Sequence, residues 1–507
     1  MKNKKKSALR ILAPALAVYL VLTGLLVAAE RNGAGTQIDS LPRAFWYSLA
    51  TLTTVGYGDL TPVTPVGRLI GGIFMLMSTG LLALLIGVIY AALTGRLYPR
   101  FKLWLHRRDR WYILTPDNDA ARALAARLDG GLTLFLGAAP PSGSGILALD
   151  MTPDALAALP FFGRGERLLF AMDADDAVNE RLAATLNGYP LQIYCRSDAP
   201  NEDLPDNVVT FNDGDCAARL YWQSQPWDPA GERAALIGGG RFARALLMQA
   251  LLTAPPNCVV ELFGDWTDWQ SLHGAFAACP DLQIELRFHP EDWRACADIL
   301  RAADRVVLCD DDVEANRAAL CDIRRYCALS GALHARCPQG LQKAWYFGEA
   351  DRLFTPEMVM KQTLNARARR LHELYRAGAD YPVPEWEALS DFLKRSNLAA
   401  ADHLLTKLRL LLPDEDVRAF TPDACRRAIR RYEAAGPEFR ERCRRIEHSR
   451  WCLFHALYNW TYDPVRDNAL RRHPMMVPYE RLDETERRKD DNAWLLIGQL
   501  AETSDDD

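Results

Sequence analysis

The sequence predicts a multi-domain protein with an α-helical, membrane-embedded part, two α/β units and a mainly α-helical C-terminal part. Two apolar stretches, residues 8–29 and 70–93, are long enough to cross a bilayer as helices. From Trp111 onwards, short apolar segments alternate with helical patterns, which is typical of parallel α/β sheets. After about residue 362 the pattern becomes helical and rich in arginine. We therefore expect four domains, at residues 1–100, 101–228, 229–362 and 363–500.

The net charge and the cysteines bear on the kind of partner and on the cellular compartment. The chain has 507 residues and a formal net charge of -5, which argues against a nucleic-acid partner. All 12 cysteines lie at Cys195 or later and none forms a C-x-x-C pair, as expected for reduced thiols in the cytosol. Lysine and arginine flank both apolar stretches on the outer sides, so we expect a multi-pass protein of the plasma (inner) membrane with both termini cytoplasmic.

The segment between the two apolar stretches contains the pentapeptide Thr54-Val55-Gly56-Tyr57-Gly58. Backbone carbonyls of successive residues can replace the water shell of a potassium ion if they all face one axis, and the Thr54 hydroxyl adds a further ligand. Such an arrangement needs positive φ at alternate residues, which Gly56 and Gly58 adopt without steric cost. Residues 42–49 predict a short re-entrant helix that leads into this segment.

This pentapeptide resembles the selectivity filter of the potassium-channel pore family. The resemblance implies that Thr54, Val55, Gly56, Tyr57 and Gly58 hold potassium ions, with Trp46 and Asp59 as supporting residues. One chain supplies only one wall, so the resemblance also implies a homotetramer in a lipid bilayer. No arginine-rich helix precedes the first apolar stretch, so we expect a ligand rather than voltage to open the pore.

Nine short apolar segments predict the strands of the two α/β units. They lie at residues 111–114, 132–135, 145–149, 168–171 and 191–194 in the first unit, and at 234–237, 259–263, 283–286 and 305–308 in the second. A pore followed by two such Rossmann-like units resembles channels with two regulator-of-potassium-conductance (RCK) domains per subunit. That resemblance implies a cytoplasmic ring of these domains beneath the pore.

A glycine-rich turn follows the first strand of the second unit, with the pattern G-x-G-x-x-A. Such a turn lets a phosphate approach a helix N-terminus, so Gly238, Gly240, Ala243 and Asp265 are candidate nucleotide-binding residues, with Glu261 as the alternative acid. The alternative is a tight turn that binds nothing. The first unit has no glycine at this turn, and we expect it to bind no dinucleotide.

Acidic runs follow predicted strands at residues 173–176 and 310–312. Carboxylates in these positions can bind a divalent cation, but they more often cap helices, so we expect no metal site.

Near the C-terminus, the segments 446–451, 459–462 and 473–482 resemble the ryanodine-receptor (RyR) repeat domain in their spacing, over roughly residues 440–497. Aromatic faces can stack on a purine and cationic side chains can bind its phosphate. The candidate ligand-binding residues are Arg450, Trp451, Trp460, Tyr462, Tyr479 and Lys489. The alternative is that the aromatic residues form the core of a small helical domain and the cations a solvated face.

These resemblances together imply a ligand-gated potassium channel with no catalytic residues. The sensor is either the RyR-like domain or the second α/β unit, and the expected ligand is a small anion or a nucleotide such as a cyclic dinucleotide. Two alternatives remain open. One is a constitutive channel whose RyR-like domain docks a protein partner. The other is a membrane-tethered NAD-dependent oxidoreductase that uses the glycine-rich turn.

Overall fold

A computed structural model of the chain describes residues 17–92, 98–137, 146–337, 344–379 and 381–503. The chain divides into two compact bodies, Met1–His106 and Arg107–Asp507, and we describe each by itself.

The first body is α-helical. Its helices are α1 (which includes residues 17–30), α2 (Leu41–Leu52), α3 (Pro65–Ala92) and α4 (Tyr98–Leu105). Helix α2 contains the predicted re-entrant helix and has Pro42 in its first turn, where a missing N–H costs nothing. The Tyr19 hydroxyl of α1 lies 2.8 Å from the Ser48 hydroxyl of α2. At the other end of α1, the Glu30 carboxylate accepts hydrogen bonds from the backbone N–H groups of Val63 (3.0 Å) and Thr64 (2.9 Å), which ties α1 to the start of α3.

Within the ranges that the structure describes, no helix combines the length and the apolar character that crossing a bilayer requires. The two predicted spans, residues 8–29 and 70–93, are therefore not confirmed. Residues 8–16 and residue 93 lie outside the described ranges.

The second body begins with a parallel sheet in the strand order β3-β2-β1-β4-β5-β6. This is the doubly wound order, in which helices cover both faces and the strands read as continuous apolar runs. The strands are β1 (Trp111–Thr115), β2 (Leu132–Leu136), β3 (Leu147–Leu149), β4 (Arg167–Ala171), β5 (Gln192–Arg196) and β6 (Val208–Phe211). The helices are α5 (Asp119–Ala125), α6 (Pro153–Ala157), α7 (Asp176–Thr185) and α8 (Asp213–Ser224).

A second parallel sheet repeats this order as β12-β11-β10-β7-β8-β9. Its strands are β7 (Arg233–Ile237), β8 (Cys258–Phe263), β9 (Ile284–His289), β10 (Arg305–Leu308), β11 (Ala332–Ala335) and β12 (Trp345–Tyr346). Its helices are α9 (Arg241–Thr253), α10 (Thr267–Leu272), α11 (Ala297–Ala302) and α12 (Val313–Tyr326). The prediction of two Rossmann-like α/β units is confirmed.

The sequence missed three of these strands, β6, β11 and β12. Each is short, and β11 contains His334, which is 3% exposed. The first predicted residue of β3, residue 145, lies outside the described ranges.

The remainder is mainly α-helical, as predicted. The helices are α13 (Ala350–Leu353), α14 (Pro356–Val359), α15 (Ala366–Gly378), α16 (Asp391–Asp402), α17 (Leu404–Leu411), α18 (Pro422–Ala434), α19 (Pro437–Leu457) and α20 (Glu484–Thr503), with two short strands, β13 (Thr461–Tyr462) and β14 (Arg472–His473). Trp494 of α20 is fully buried, stacks on Tyr432 of α18 and donates its indole N–H to the Cys443 carbonyl of α19 at 3.1 Å. These contacts centre the helical core on α18, α19 and α20.

A buried ion pair connects this helical part to the α/β units. The Asp402 carboxylate of α16 accepts two hydrogen bonds from the Arg219 guanidinium of α8, at 2.6 and 3.1 Å. The Gln249 amide of α9 donates to the same carboxylate at 3.0 Å. Only 5% of the Asp402 side chain and 10% of the Arg219 side chain are exposed. Three helices from different parts of the chain therefore meet at one carboxylate.

We predict that Asp402→Ala lowers the free energy of unfolding by about 3 to 5 kcal/mol, because it leaves a buried guanidinium without its counter-ion. Denaturant titration of the detergent-solubilised full chain measures the effect. Asp416→Ala is the control, since Asp416 pairs with Arg418 on the surface, where an ion pair contributes at most about 1 kcal/mol. Equal losses in the two variants would contradict the prediction.

A second group of buried charges lies between α17, α19 and α20. The Glu447 carboxylate binds the Arg450 guanidinium at 2.6 and 3.0 Å and the Lys407 Nζ at 2.8 Å. Burial by itself would raise the pKa of Glu447, but Arg450 and Lys407 outweigh burial and lower it. Asp490 lies nearby, and its Oδ2 atom has no hydrogen-bond partner in the described part of the chain. Burial, reinforced by the charge of Glu447, raises the pKa of Asp490 to about 8.

We predict that this aspartate makes the folded state less stable as the pH rises. The folded protein holds the Asp490 proton up to about pH 8, whereas an unfolded chain releases it near its ordinary pKa of about 4. The folded state thus binds more protons between these values, so stability falls from about pH 4 to about pH 8 and then levels off. Asp490→Asn keeps the side chain neutral and should flatten this part of the pH profile of unfolding. The control Asp416→Asn should leave the profile as in the wild type.

Candidate functional site

The backbone of the pentapeptide alternates in the sign of φ. The angle is +64° at Thr54, +59° at Gly56 and +71° at Gly58. The two glycines were expected to adopt positive φ, and they do. Thr54 was not expected to, because a β-branched residue rarely takes this conformation. Successive carbonyls need such an alternation to face one side of the segment.

The carbonyl oxygens of residues 54–57 accept no hydrogen bond from the part of the chain that the structure describes. The N–H groups of Val55 and Gly56 both turn back to the Ala50 carbonyl at the end of α2, at 3.0 and 3.1 Å. No described residue donates a hydrogen bond to the carbonyls of Thr54, Val55, Gly56 or Tyr57. Four consecutive acceptors are therefore available to a ligand with positive charge.

Helix α2 braces the segment through aromatic contacts. The Tyr57 ring stacks on Trp46, with centroids 5.8 Å apart and planes 9° from parallel. The Trp46 indole N–H donates to the Asp59 carboxylate at 2.8 Å. Trp46 thus contacts the residues on both sides of Gly58.

The glycine-rich turn of the second α/β unit holds an internal carboxylate. Residues 238–240 connect β7 to α9, where the strand order reverses between β7 and β10. Asp311, which follows β10, accepts hydrogen bonds from the backbone N–H groups of Arg241 (2.8 Å) and Phe242 (2.9 Å). The first N–H groups of a helix are the ones that bind phosphate in nucleotide-binding turns. The carboxylate of Asp311 therefore takes the place expected for a ligand phosphate.

The glycines of this turn leave room for the residues that follow β10. A Cβ at Gly240 would lie 2.5 Å from the carboxyl carbon of Asp311. Gly238 has φ of +139°, and a Cβ there would lie 2.7 Å from the backbone nitrogen of Asp310. Ala243 is fully buried in α9. The three residues thus fit the close packing of α9 against the loop after β10.

The two candidate acids occupy different environments. Asp265 is exposed and accepts a hydrogen bond from the Thr267 N–H at 3.0 Å. Glu261 is 1% exposed and binds His289 (2.7 Å) and Arg287 (3.2 Å) of β9. Glu261 is therefore part of the sheet, whereas Asp265 remains accessible.

The first α/β unit repeats the loop without the carboxylate. In both units an asparagine of the following helix accepts a hydrogen bond from the second residue after the strand. The pairs are Asp173 N–H to Asn179 and Asp310 N–H to Asn316, each at 2.9 Å. The next residue is Ala174 in the first unit and Asp311 in the second. The turn of the first unit is closed instead by Asn118, which caps α5 and donates to the Met172 carbonyl at 2.8 Å.

One aspartate of each acidic run caps a helix, which is the more common role of carboxylates in such positions. Asp175 accepts the Ala177 N–H at the start of α7 (3.0 Å), and Asp312 accepts the Glu314 N–H at the start of α12 (2.9 Å).

Four of the six candidates near the C-terminus lie in different environments. Arg450 is bound to Glu447 in the buried charge group described above. Tyr479 is fully buried, with the Arg445 and Arg487 guanidinium groups each 4.9 Å from its ring centroid. Tyr462 is 56% exposed, and the exposed Lys489 pairs with Glu486 at 2.5 Å.

Trp451 and Trp460 share an aromatic cluster. The His455 ring lies 3.8 Å from Trp451 and 5.4 Å from Trp460, and His473 lies 4.8 Å from Trp451. Burial lowers the pKa of His455 to about 3 and of His473 to about 4, so both rings are neutral at physiological pH. Trp460 also stacks on Phe392 of α16, at 5.3 Å. Trp460 is 6% exposed and has the core position that the alternative interpretation gave it, whereas Trp451 is half-buried.

Two protein families match parts of this chain. Residues 11–95 match the family described as Ion channel, and residues 433–495 match the RyR domain. The chain is 41% identical over 75 residues to the potassium voltage-gated channel protein Shal of Drosophila melanogaster, which covers 15% of this chain and 13% of that protein. It is 39% identical over 77 residues to the potassium voltage-gated channel protein shk-1 of Caenorhabditis elegans. The matched segment covers 15% of this chain and 14% of that protein. The chain thus spans about one seventh of the length of these relatives.

Solved structures of the GsuK channel are similar over more of the chain. The structure of GsuK bound to ADP is 16% identical and covers 81% of this chain and 99% of that chain, with a TM-score of 0.31. The GsuK channel bound to NAD is 13% identical and covers 81% of this chain and 84% of that chain, with a TM-score of 0.32. These scores are too low to support an inference about this chain. From the family matches, residues 11–95 carry an ion-channel domain and residues 433–495 an RyR domain.

Proposed function

We propose that this chain is one subunit of a homotetrameric, potassium-selective channel of the plasma (inner) membrane, opened by a small ligand in the cytoplasm. The observation that carries the proposal is the backbone of residues 54–58, with alternating positive φ and carbonyls that have no partner among the described residues. In a tetramer, four such segments would surround one axis and replace the water shell of a potassium ion.

The supporting contacts set the width of this filter. Carbonyl ligands can select an ion only if the surrounding protein keeps them at a suitable spacing. The stacked pair Trp46–Tyr57 and the hydrogen bond between Trp46 and Asp59 join the filter to α2. We infer that these contacts resist collapse of the four segments toward the axis.

The cytoplasmic part then determines when the pore opens. A ligand shifts the pore from mostly closed to mostly open only by binding the open state more tightly, by about 5.5 kcal/mol in total for a change from 1:99 to 99:1. Four subunits would share this energy, at about 1.4 kcal/mol each. We propose domains at 1–100, 101–228, 229–362 and 363–500, of which the two α/β units form the ring.

We assign the sensor to the C-terminal part, with a small anionic or nucleotide ligand such as a cyclic dinucleotide. Asp311 supports this assignment, because its negative charge occupies the amide groups of α9 that would otherwise bind a phosphate. The same contact weighs against the NAD-dependent oxidoreductase, which we do not propose.

A second candidate function is a constitutive channel whose RyR domain docks a protein partner. Three apolar side chains near β13 and β14 favour it, since Tyr462, Val465 and Leu470 are 56%, 71% and 60% exposed. Exposed apolar groups of this size often mark a docking surface.

We predict potassium-selective flux in liposomes that contain the purified full chain, and loss of this flux in Gly56→Ala. Gly56 has φ of +59°, which an alanine adopts only with strain, so the filter carbonyls would turn away. Gly35→Ala is the matched control, because Gly35 has φ of +81° with open space around it but lies outside the filter. Its flux should equal that of the wild type.

Equal flux of sodium and potassium, or no flux with any nucleotide tested, would contradict the channel proposal. Potassium-selective flux that needs no ligand, and that survives deletion of the RyR domain, would favour the second candidate function.

We also predict that Gly240 and Asp311 are energetically coupled. Gly240→Ala should lower the free energy of unfolding by about 1 to 3 kcal/mol, because its Cβ displaces the Asp311 carboxylate from α9. In an Asp311→Ala background the same change should cost much less, and denaturant titration of all four proteins gives the coupling energy.

Gly436→Ala provides the control. Gly436 precedes α19 as Gly240 precedes α9, but nothing lies within 4 Å of its Cβ position. It should show no coupling to Asp311. Additive effects of Gly240→Ala and Asp311→Ala would show that the carboxylate does not fill the turn.

A further inference from the structure

A cleft of about 830 Å³ lies between the second α/β unit and the C-terminal helices. Helices α9 and α10 contribute to one side, and α16 and the C-terminal end of α19 contribute to the other. Its volume is in the range of sites for small organic ligands.

The lining of this cleft is partly apolar. Met248 and Leu252 of α9, Leu272 of α10 and Leu457 of α19 are among the lining side chains. Such a surface can bind the flat or apolar part of a ligand, because the transfer of apolar surface out of water is favourable.

One lining residue of the cleft, Trp269, carries a buried hydrogen-bond donor. Trp269 of α10 is 2% exposed, and its indole N–H has no hydrogen-bond partner among the residues that the structure describes. An unpaired buried donor lowers stability, so an acceptor atom of a ligand would remove a cost that the unliganded protein carries.

Two arginines, one on each side, supply positive charge. Arg244 of α9 donates to the Gly239 carbonyl at 3.3 Å, and among the described residues its one carboxylate partner is Asp268, which is itself 75% exposed. Arg471 donates to the Tyr458 carbonyl at 2.8 Å, and the described residues offer it no carboxylate. Both keep N–H groups for a further acceptor.

The carboxylates that line the cleft have partners within the protein. Asp402 is bound to Arg219, and Asp311 to the amide groups of α9. Three further acids, Asp198, Asp215 and Asp391, share the single Arg395 guanidinium, so that group carries a net negative charge. Arg244 and Arg471 are therefore the lining cations that can bind an acceptor-rich anion.

We propose that this cleft binds a nucleoside phosphate, with the base on the apolar lining and the phosphate at Trp269, Arg244 and Arg471. The proposal rests on the proposed function, since it places the gating ligand of that function between the α/β unit and the RyR domain. A ligand in this position contacts both sides and so favours one separation of them over others.

The test is calorimetric titration of the detergent-solubilised full chain with three probes: cyclic di-AMP, ATP and inorganic pyrophosphate. We expect at least one nucleotide to bind, and pyrophosphate to bind at least about tenfold more weakly. Failure of both nucleotides to bind would overturn the proposal. Pyrophosphate binding as tightly as the nucleotides would overturn the role of the base.

Trp269→Phe removes the unpaired N–H together with the fused five-membered part of the indole, and keeps an aromatic ring at this position. We expect it to weaken nucleotide binding about tenfold. The smaller ring also lowers the thermal unfolding temperature, and Trp266→Phe controls for that loss of packing because Trp266 is buried to a similar extent. Arg244→Ala and Arg471→Ala should each weaken binding by a similar factor. Unchanged affinity in Trp269→Phe would overturn the assignment of the site.

Trp266→Phe is the matched control. Trp266 is 3% exposed and its indole N–H also lacks a partner in the described ranges, but it does not line this cleft. It should bind the probe as the wild type does, and an equal loss in both variants would overturn the proposal.

Potassium flux of the same proteins separates the two proposals. If the wild type shows potassium-selective flux and Trp269→Phe binds the nucleotide as tightly as the wild type, the cleft proposal is wrong and the channel proposal stands. If Trp269→Phe weakens nucleotide binding but the wild type shows no potassium-selective flux, the channel proposal is wrong and the nucleotide site stands.

Discussion

The structure of the second body depends on one buried carboxylate, that of Asp402. Arg219 of α8 and Gln249 of α9 both donate to it, so the helix that ends the first α/β unit and the first helix of the second unit are fixed to α16. Arg219 also donates to the Asn365 side chain and the Leu364 carbonyl, each at 2.7 Å, at the start of α15. A buried charge pair of this kind contributes little net stability, but removing one partner is costly, so it specifies a single arrangement of the helices.

Further contacts join the second α/β unit to the RyR domain. The His273 Nδ1–H donates to the Leu457 carbonyl at 2.7 Å, and Asn459 donates to the Leu272 carbonyl at 2.6 Å. Burial lowers the pKa of His273, which favours the neutral ring. Asp402 holds one part of the cleft and these contacts hold another. These contacts hold the sides of the cleft together in the unliganded protein.

Local signals in the sequence predicted much of this architecture, and non-local contacts explain what it missed. Apolar runs such as β4 and β8 indicate buried parallel strands by themselves, whereas the two-residue strand β12 has too short a pattern. Gly56 and Gly58 indicate positive φ, but Thr54 adopts it because the surrounding fold imposes it. Asp311 contacts a turn about seventy residues earlier in the chain, so only the reversal of strand order between β7 and β10 brings the two together.

The position of Asp311 bears on how a ligand can act. With a carboxylate at the first amides of α9, a phosphate at that point would meet a like charge, and Arg244, one turn further along α9, becomes the nearer attractive group. A ligand at Arg244 also faces Arg471 across the cleft, so it contacts the second α/β unit and the RyR domain at once. If four subunits share about 5.5 kcal/mol, each cleft needs only about a tenfold preference for the open state. If the chain is the channel proposed above, one charge-assisted hydrogen bond made in the open state and lost in the closed one would supply about that much, and a small change in the width of the cleft would be sufficient to open the pore.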